Sequence, residues 1–192
     1  MRDTVILPEE EILSALGRRW STMLVHLIRS HFPHQIPENV EVLDIKTGAG
    51  FMAGLMGKYG YQVTGVDRSE DDLALASEKT SHYRHRITLW KMKVEDMFFP
   101  DESFDVIISR DLAGKELDMS VAFEEWKRVL KPGGIVLSFE ADMNLSQSVA
   151  DQAVGKDFFC EIDFGMERFF NYKPGRQPYF QHPVCLIRSI KK

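Results

Sequence analysis

From residue 40 onward, short apolar runs alternate with stretches of helical spacing, and this rhythm restricts the folds open to the chain more than any other feature. Val40 to Ile45 reads as a strand, Phe51 to Tyr59 as a helix, Gln62 to Val66 as a strand. Ser69 with Asp72 three residues on resembles a capping box opening a helix to about Lys79. Ile87 to Met92 and Phe104 to Ser109 follow as strands. A helix over Ser120 to Leu130 stops at Lys131-Pro132-Gly133-Gly134, and Ile135 to Phe139 is the fifth strand. Strand–helix alternation needs crossover connections, which give an α/β fold with a mainly parallel sheet covered on both faces.

The two ends depart from this rhythm. Pro8 before Glu9, Glu10 and Glu11 is a helix start, since proline needs no N–H there and carboxylates suit the positive end of the dipole. Ile12, Leu16, Trp20, Leu24, Leu27 and Ile28 repeat at helical spacing until Phe32-Pro33, and residues 34–39 read as a connector. At the other end, Asn144 to Val154 reads as a further helix. Phe158 to Phe164 and Tyr179 to Ile190 read as two strands joined around Lys173-Pro174-Gly175. Strands joined without a helix imply an antiparallel edge on the parallel sheet.

The chain has 192 residues, 44% of them hydrophobic, with a net charge of −5. That size suits one domain, and the aromatic content excludes a disordered chain. No apolar run approaches the roughly 20 residues that a bilayer crossing needs. The acidic balance argues against a nucleic-acid partner, whose phosphates call for a basic surface. No secretory leader is visible at the N-terminus, so a cytoplasmic protein is expected, with Cys160 and Cys185 as reduced thiols.

The chemistry points to Val42 through Gly50, a strand running into glycines and then a helix. Gly48 and Gly50 allow a sharp turn and close backbone approach to a ligand. Asp67, at the end of the second strand, is placed to accept from a ribose hydroxyl pair. Gly48 to Ala53 also fits the G-x-G-x-x-A pattern of dinucleotide-binding proteins, which keeps an NAD-dependent oxidoreductase as an alternative. Asp44, however, would repel a pyrophosphate and suits a ligand bearing an ammonium group.

Four segments in order, Val42 to Gly50, Val63 to Ser69, Val94 to Ser109 and Arg128 to Gly134, make the chain resemble the class I S-adenosylmethionine-dependent methyltransferases, in particular the small-molecule branch of ubiquinone and menaquinone biosynthesis. The resemblance implies a Rossmann-like three-layer sandwich. Its seven-stranded, mostly parallel sheet would have order 3-2-1-4-5-7-6, with strand 7 antiparallel. It divides the chain into an N-terminal helical cap segment, 1–39, and a methyltransferase-like domain, 40–192, within a single domain overall. It implies S-adenosylmethionine as cofactor, methyl transfer to a small molecule, and cofactor contacts at Asp44, Lys46, Gly48, Gly50, Asp67, Arg68, Glu95, Asp96 and Ser109. No metal site, nucleic acid or membrane is implied.

Two positions depart from the family pattern. Lys46 stands where the first loop glycine belongs, and Lys93 where an aspartate usually meets the adenine amino group. Glu95 or Asp96 can take over that contact from the neighbouring turn. The two lysines also leave open a non-catalytic relative, a cofactor sensor or partner subunit.

Asp111, just after the fourth strand, is the candidate base for an acceptor that must lose a proton. The N-terminal helix, a second subunit in a homodimer, or a bulky substrate would have to cover the site. Trp20, Trp90 and Phe98 read as core aromatics, with an apolar pocket as the other reading. Met52 and Met56 pack the helix on the sheet. His82 and His85 read as surface loop residues rather than metal ligands, and Glu116, Glu124, Glu125 and Lys127 as a solvated helix face.

Overall fold

The computed structural model describes residues 9–110, 117–140, 147, 149–151, 153, 156, 158–163 and 185–191. Seven strands form one sheet in the order β3-β2-β1-β4-β5-β7-β6. The strands are β1 (Glu41–Ile45), β2 (Gln62–Asp67), β3 (Ile87–Lys91), β4 (Phe104–Arg110), β5 (Leu130–Glu140), β6 (Phe158–Asp163) and β7 (Cys185–Lys191). β1 to β5 pair in parallel, whereas β7 runs antiparallel to both β5 and β6. Order and orientation are those that the resemblance implied.

Helices cover both faces. On one side lie α1 (Glu9–His31), α2 (Phe51–Lys58) and α3 (Glu70–Lys79), and on the other lies α4 (Met119–Val129). Residues 147, 149–151 and 153, within the expected late helix, are helical, and Val149, Ala150 and Ala153 are buried with α4. The Lys173-Pro174-Gly175 turn and Asp111 lie outside the described residues, as does Glu116.

On α1, Trp20, Met23, Leu24 and Ile28 are buried, while Arg18, Thr22, His26 and Arg29 face water. Trp20 meets Phe139 of β5 edge-on at 5.0 Å between ring centroids and Phe51 of α2 at 6.4 Å. Burying a side chain of this size stabilises the fold by roughly 1.5–3 kcal/mol, and this one packs α1 on the sheet beside α2. Its last residue, His31, is tied to the sheet. Arg188 can only donate, so Nδ1 accepts from it at 3.1 Å and Nε2 donates to Gly133 O at 2.8 Å.

The entry to β5 differs from expectation. β5 begins at Leu130 and carries Lys131-Pro132-Gly133-Gly134 within it, its register against β4 shifting between Phe104 and Val106. The segment read as the helix stop is therefore an irregular strand entry. Trp20 is core, but Trp90 is 50% exposed and Phe98 80% exposed. The β3–β4 connection contains no helix. Met52 and Met56 are buried beneath α2 as expected. Among the described residues, no helix is long and apolar enough to cross a membrane.

Candidate active site

β1 ends at Ile45, and the chain must turn sharply to start α2. Lys46, Gly48 and Gly50 all take positive φ, at 55°, 53° and 79°. Glycine adopts this left-handed region freely, whereas a lysine there carries strain of roughly 1–2 kcal/mol. The loop is held on both sides by β2. Thr47 N donates to Val66 O at 3.0 Å, and Gly48 N donates to Asp67 Oδ2 at 2.8 Å.

Asp67 joins two loops through its carboxylate. Oδ2 takes Gly48 N, and Oδ1 accepts Ser69 N at 3.0 Å. Ser69 caps α3 by accepting Asp72 N at 3.2 Å. The reciprocal half of the expected capping box is replaced, because the Ser69 N–H already belongs to Asp67. A carboxylate offers about four lone-pair sites, so Asp67 keeps accepting capacity towards the cleft it lines.

That cleft, about 300 Å³, is lined by Lys46, Asp67, Arg68, Ser69, Val94, Glu95 and Leu117. It lies at the carboxyl ends of β1 and β2, with β4 and β3 on the two sides, where open α/β sheets bind ligands. Four of its residues, Lys46, Asp67, Arg68 and Glu95, were expected cofactor contacts. Among the described residues, Glu95 Oε2 is buried without a hydrogen-bond partner, an acceptor open to a donor.

The other expected contacts are placed differently. Asp44 is 2% exposed and stands behind the loop, where Oδ2 accepts Thr47 Oγ1 at 2.6 Å and Ala53 N at 3.0 Å. Burial pushes its carboxyl up to about 7, against the lowering effect of those two bonds and of the Arg110 cation. Ser109 is turned into the sheet, donating to Ser138 Oγ at 3.0 Å, and is not among the residues lining the cleft. Asp96 and Lys93 are both exposed and joined by a backbone bridge, and neither is among the residues lining the cleft. His82 and His85 lie on the surface after α3.

Sequence reasoning missed Glu125. It was assigned to the solvated face of α4, yet it accepts Met97 N at 2.8 Å and pairs with Arg128 at 2.6 Å. Its spacing on the helix marks only a polar position. The partner lies in the β3–β4 connection, whose path no periodicity reveals.

Residues 43–138 match the Methyltransferase domain family. The chain is 34% identical over 146 residues to a ubiquinone/menaquinone biosynthesis C-methyltransferase of Geobacter sulfurreducens, covering 70% of this chain and 55% of that protein. It is 36% identical over 106 residues to a 2-methyl-6-phytyl-1,4-hydroquinone methyltransferase of Synechocystis, covering 53% and 32%. The chain thus spans about half or less of the length of these curated relatives. Among solved structures, the geranyl diphosphate C-methyltransferase of Streptomyces coelicolor superposes with a TM-score of 0.69 over 99% of this chain and 88% of that one, at 13% identity. An O-methyltransferase of Thermotoga maritima gives 0.67 over 99% and 67%, at 15% identity. These structural likenesses concern the fold. The matched span holds the strained loop, Asp67 and Glu95, and with it the chain belongs to the Methyltransferase domain family.

Proposed function

We propose that this protein is a cytoplasmic S-adenosylmethionine-dependent methyltransferase acting on a small, electron-rich aromatic acceptor of the quinol type. The observation that carries the reading is the pairing, in one cleft, of Asp67 at the end of β2 with Glu95, whose Oε2 has no hydrogen-bond partner among the described residues. An adenosine offers the matching donors, two ribose hydroxyls and an exocyclic amino group. The names of the relatives, quinone and hydroquinone methyltransferases, support the acceptor class.

The residues fit the cofactor. Asp67 would accept from the ribose while it holds Gly48, and Glu95 would accept from the adenine amino group in place of Lys93. Val94 and Leu117 give the cleft apolar wall against which a base ring can lie. Asp44 acts from behind, fixing Thr47 and the first turn of α2, and when ionised it adds a negative charge near an ammonium group. Lys46 and Arg68 balance the acidic side chains and suit a carboxylate.

When bound, the cofactor supplies an activated methyl group on a sulfonium. The protein's own task is then alignment, which can remove on the order of 7–11 kcal/mol of barrier. For a phenolic acceptor, loss of the hydroxyl proton enriches the ring carbon, and Asp111, directly after β4, is the candidate base.

Calorimetry with S-adenosylmethionine, S-adenosylhomocysteine and NAD tests the reading, followed by transfer of labelled methyl to a panel of quinols, phenols and amines. Micromolar binding of the first two and label on a quinol are expected. No binding of either adenosyl compound rules the reading out.

A further inference from the structure

The strip from Met92 to Ser103, between β3 and β4, contains no helix and has one internal bridge, Lys93 to Asp96. Its backbone is held from outside, by α4. Trp126 Nε1 donates to Val94 O at 2.9 Å. Arg128 donates through Nη2 to Met97 O at 2.9 Å and through Nη1 to Phe99 O at 2.7 Å. The same guanidinium reaches Asp101 Oδ1 at 2.7 Å and grips Glu125 with two bonds, Nε to Oε2 at 2.9 Å and Nη2 to Oε1 at 2.6 Å. Glu125 Oε1 in turn accepts Met97 N at 2.8 Å. All five donors of a guanidinium are thereby directed, as a rigid fork allows and an ammonium does not.

The bonds end on backbone atoms on either side of Glu95 and beyond it, so they fix the path of the chain that presents this side chain to the cleft. We infer that Arg128, with Glu125, is a positioning residue for the nucleobase end of the cleft, setting where Glu95 points and hence which base the protein accepts. This rests on the methyltransferase reading and deepens it. A carboxylate held there selects a base with an amino group. A base with a carbonyl at the same place would set acceptor against acceptor, and leaving a buried acceptor unpaired is costly.

The test is calorimetric, comparing S-adenosylhomocysteine with S-inosylhomocysteine. The wild-type chain should prefer the adenosine compound at least tenfold, ~1.4 kcal/mol. Arg128→Lys and Arg128→Ala should bring that preference close to unity, with a raised KM for S-adenosylmethionine and a kcat within about twofold of wild type, since the methyl end of the cleft is untouched. Glu125→Gln keeps an acceptor for Met97 N and serves where the arginine variants do not fold. Faster hydrogen exchange at the Met97 amide in folded variants should accompany the loss.

Folded variants that keep the wild-type preference overturn the inference, as does an equal weakening of both compounds. A wild-type protein that binds both alike overturns it while leaving the methyltransferase reading intact. Binding of neither removes both.

Discussion

Asp44 Oδ2 accepts the hydroxyl of Thr47 at 2.6 Å and the amide of Ala53 at 3.0 Å, so one buried oxygen joins the end of β1, the glycine loop and the first turn of α2. The other oxygen has no need to be charged for this geometry to hold. Burial accordingly raises the carboxyl from 3.8 to about 7. A raised acid favours the folded state while it keeps its proton. The advantage is complete below about pH 4 and is lost as pH rises towards about 7, where the folded protein must ionise too. Asp44→Asn keeps both bonds through its carbonyl and removes the ionisation. Relative to wild type, the variant should gain stability between those two pH values, by an amount on the order of a few kcal/mol. Urea unfolding of both proteins at the ends of the range measures it, and parallel stability curves would refute it.

Asp67 does two things at once, and its removal should therefore show in two measurements. Asp67→Ala strips Gly48 N and Ser69 N of their acceptor, an unsatisfied donor costing about 1–3 kcal/mol where water is kept out. It also leaves the ribose hydroxyls of the cofactor unpaired. Affinity for S-adenosylhomocysteine should fall at least tenfold, ~1.4 kcal/mol, alongside a lower unfolding midpoint. Unchanged affinity in a destabilised variant would show that Asp67 only holds the loop.

The sheet could be read from the sequence because each of its signals is local. Val106 to Ile108 and Ile135 to Leu137 are continuous apolar runs, as strands buried on both faces must be, and the run from Val42 to Ile45 in β1 is interrupted only by Asp44. The positions of Gly48, Gly50 and Asp67 followed from their place at strand ends. What escaped depends on rotation and on distant partners. Strand spacing does not say that Asp44 turns behind the loop or that Ser109 turns towards Ser138. Trp90 and Phe98 have core-like side chains, yet they are 50% and 80% exposed, beside and within a β3–β4 connection that contains no helix. Glu95 was reached through the neighbouring Lys93, whose charge is wrong for an amino group. Arg128 lay inside a motif read for its proline and glycines.

Lys46 combines a strained backbone at φ 55° with a cationic side chain in the cleft wall. Lys46→Gly should relieve the strain, worth roughly 1–2 kcal/mol, partly offset by the greater freedom of the unfolded chain. It should also change selectivity. The sulfonium of S-adenosylmethionine is positive and the sulfur of S-adenosylhomocysteine is neutral, so removing a nearby cation helps the first more than the second. The affinity ratio between the two compounds should shift towards the methyl donor by about threefold or more, ~0.65 kcal/mol. A drop in affinity for both would mean that the lysine is itself a ligand contact.

The two loop glycines should differ sharply on substitution. At Gly48, with φ 53°, an added methyl would have Lys46 O, 4.0 Å away, as its nearest neighbour, so Gly48→Ala pays only for the left-handed backbone, roughly 1–2 kcal/mol. At Gly50, with φ 79°, the same methyl would sit 2.9 Å from Ala76 Cβ and 3.1 Å from both Ala76 Cα and Thr80 Cγ2. Those atoms belong to α3 and its cap, which would have to move, adding about 1–3 kcal/mol of overpacking. Moving α3 also shifts Ser69, whose amide is tied to Asp67, so the cofactor cleft should open with it. Gly50→Ala should thus unfold at lower urea than Gly48→Ala and bind S-adenosylhomocysteine more weakly. Equal midpoints for the two variants would show that α2 and α3 are not packed through this glycine.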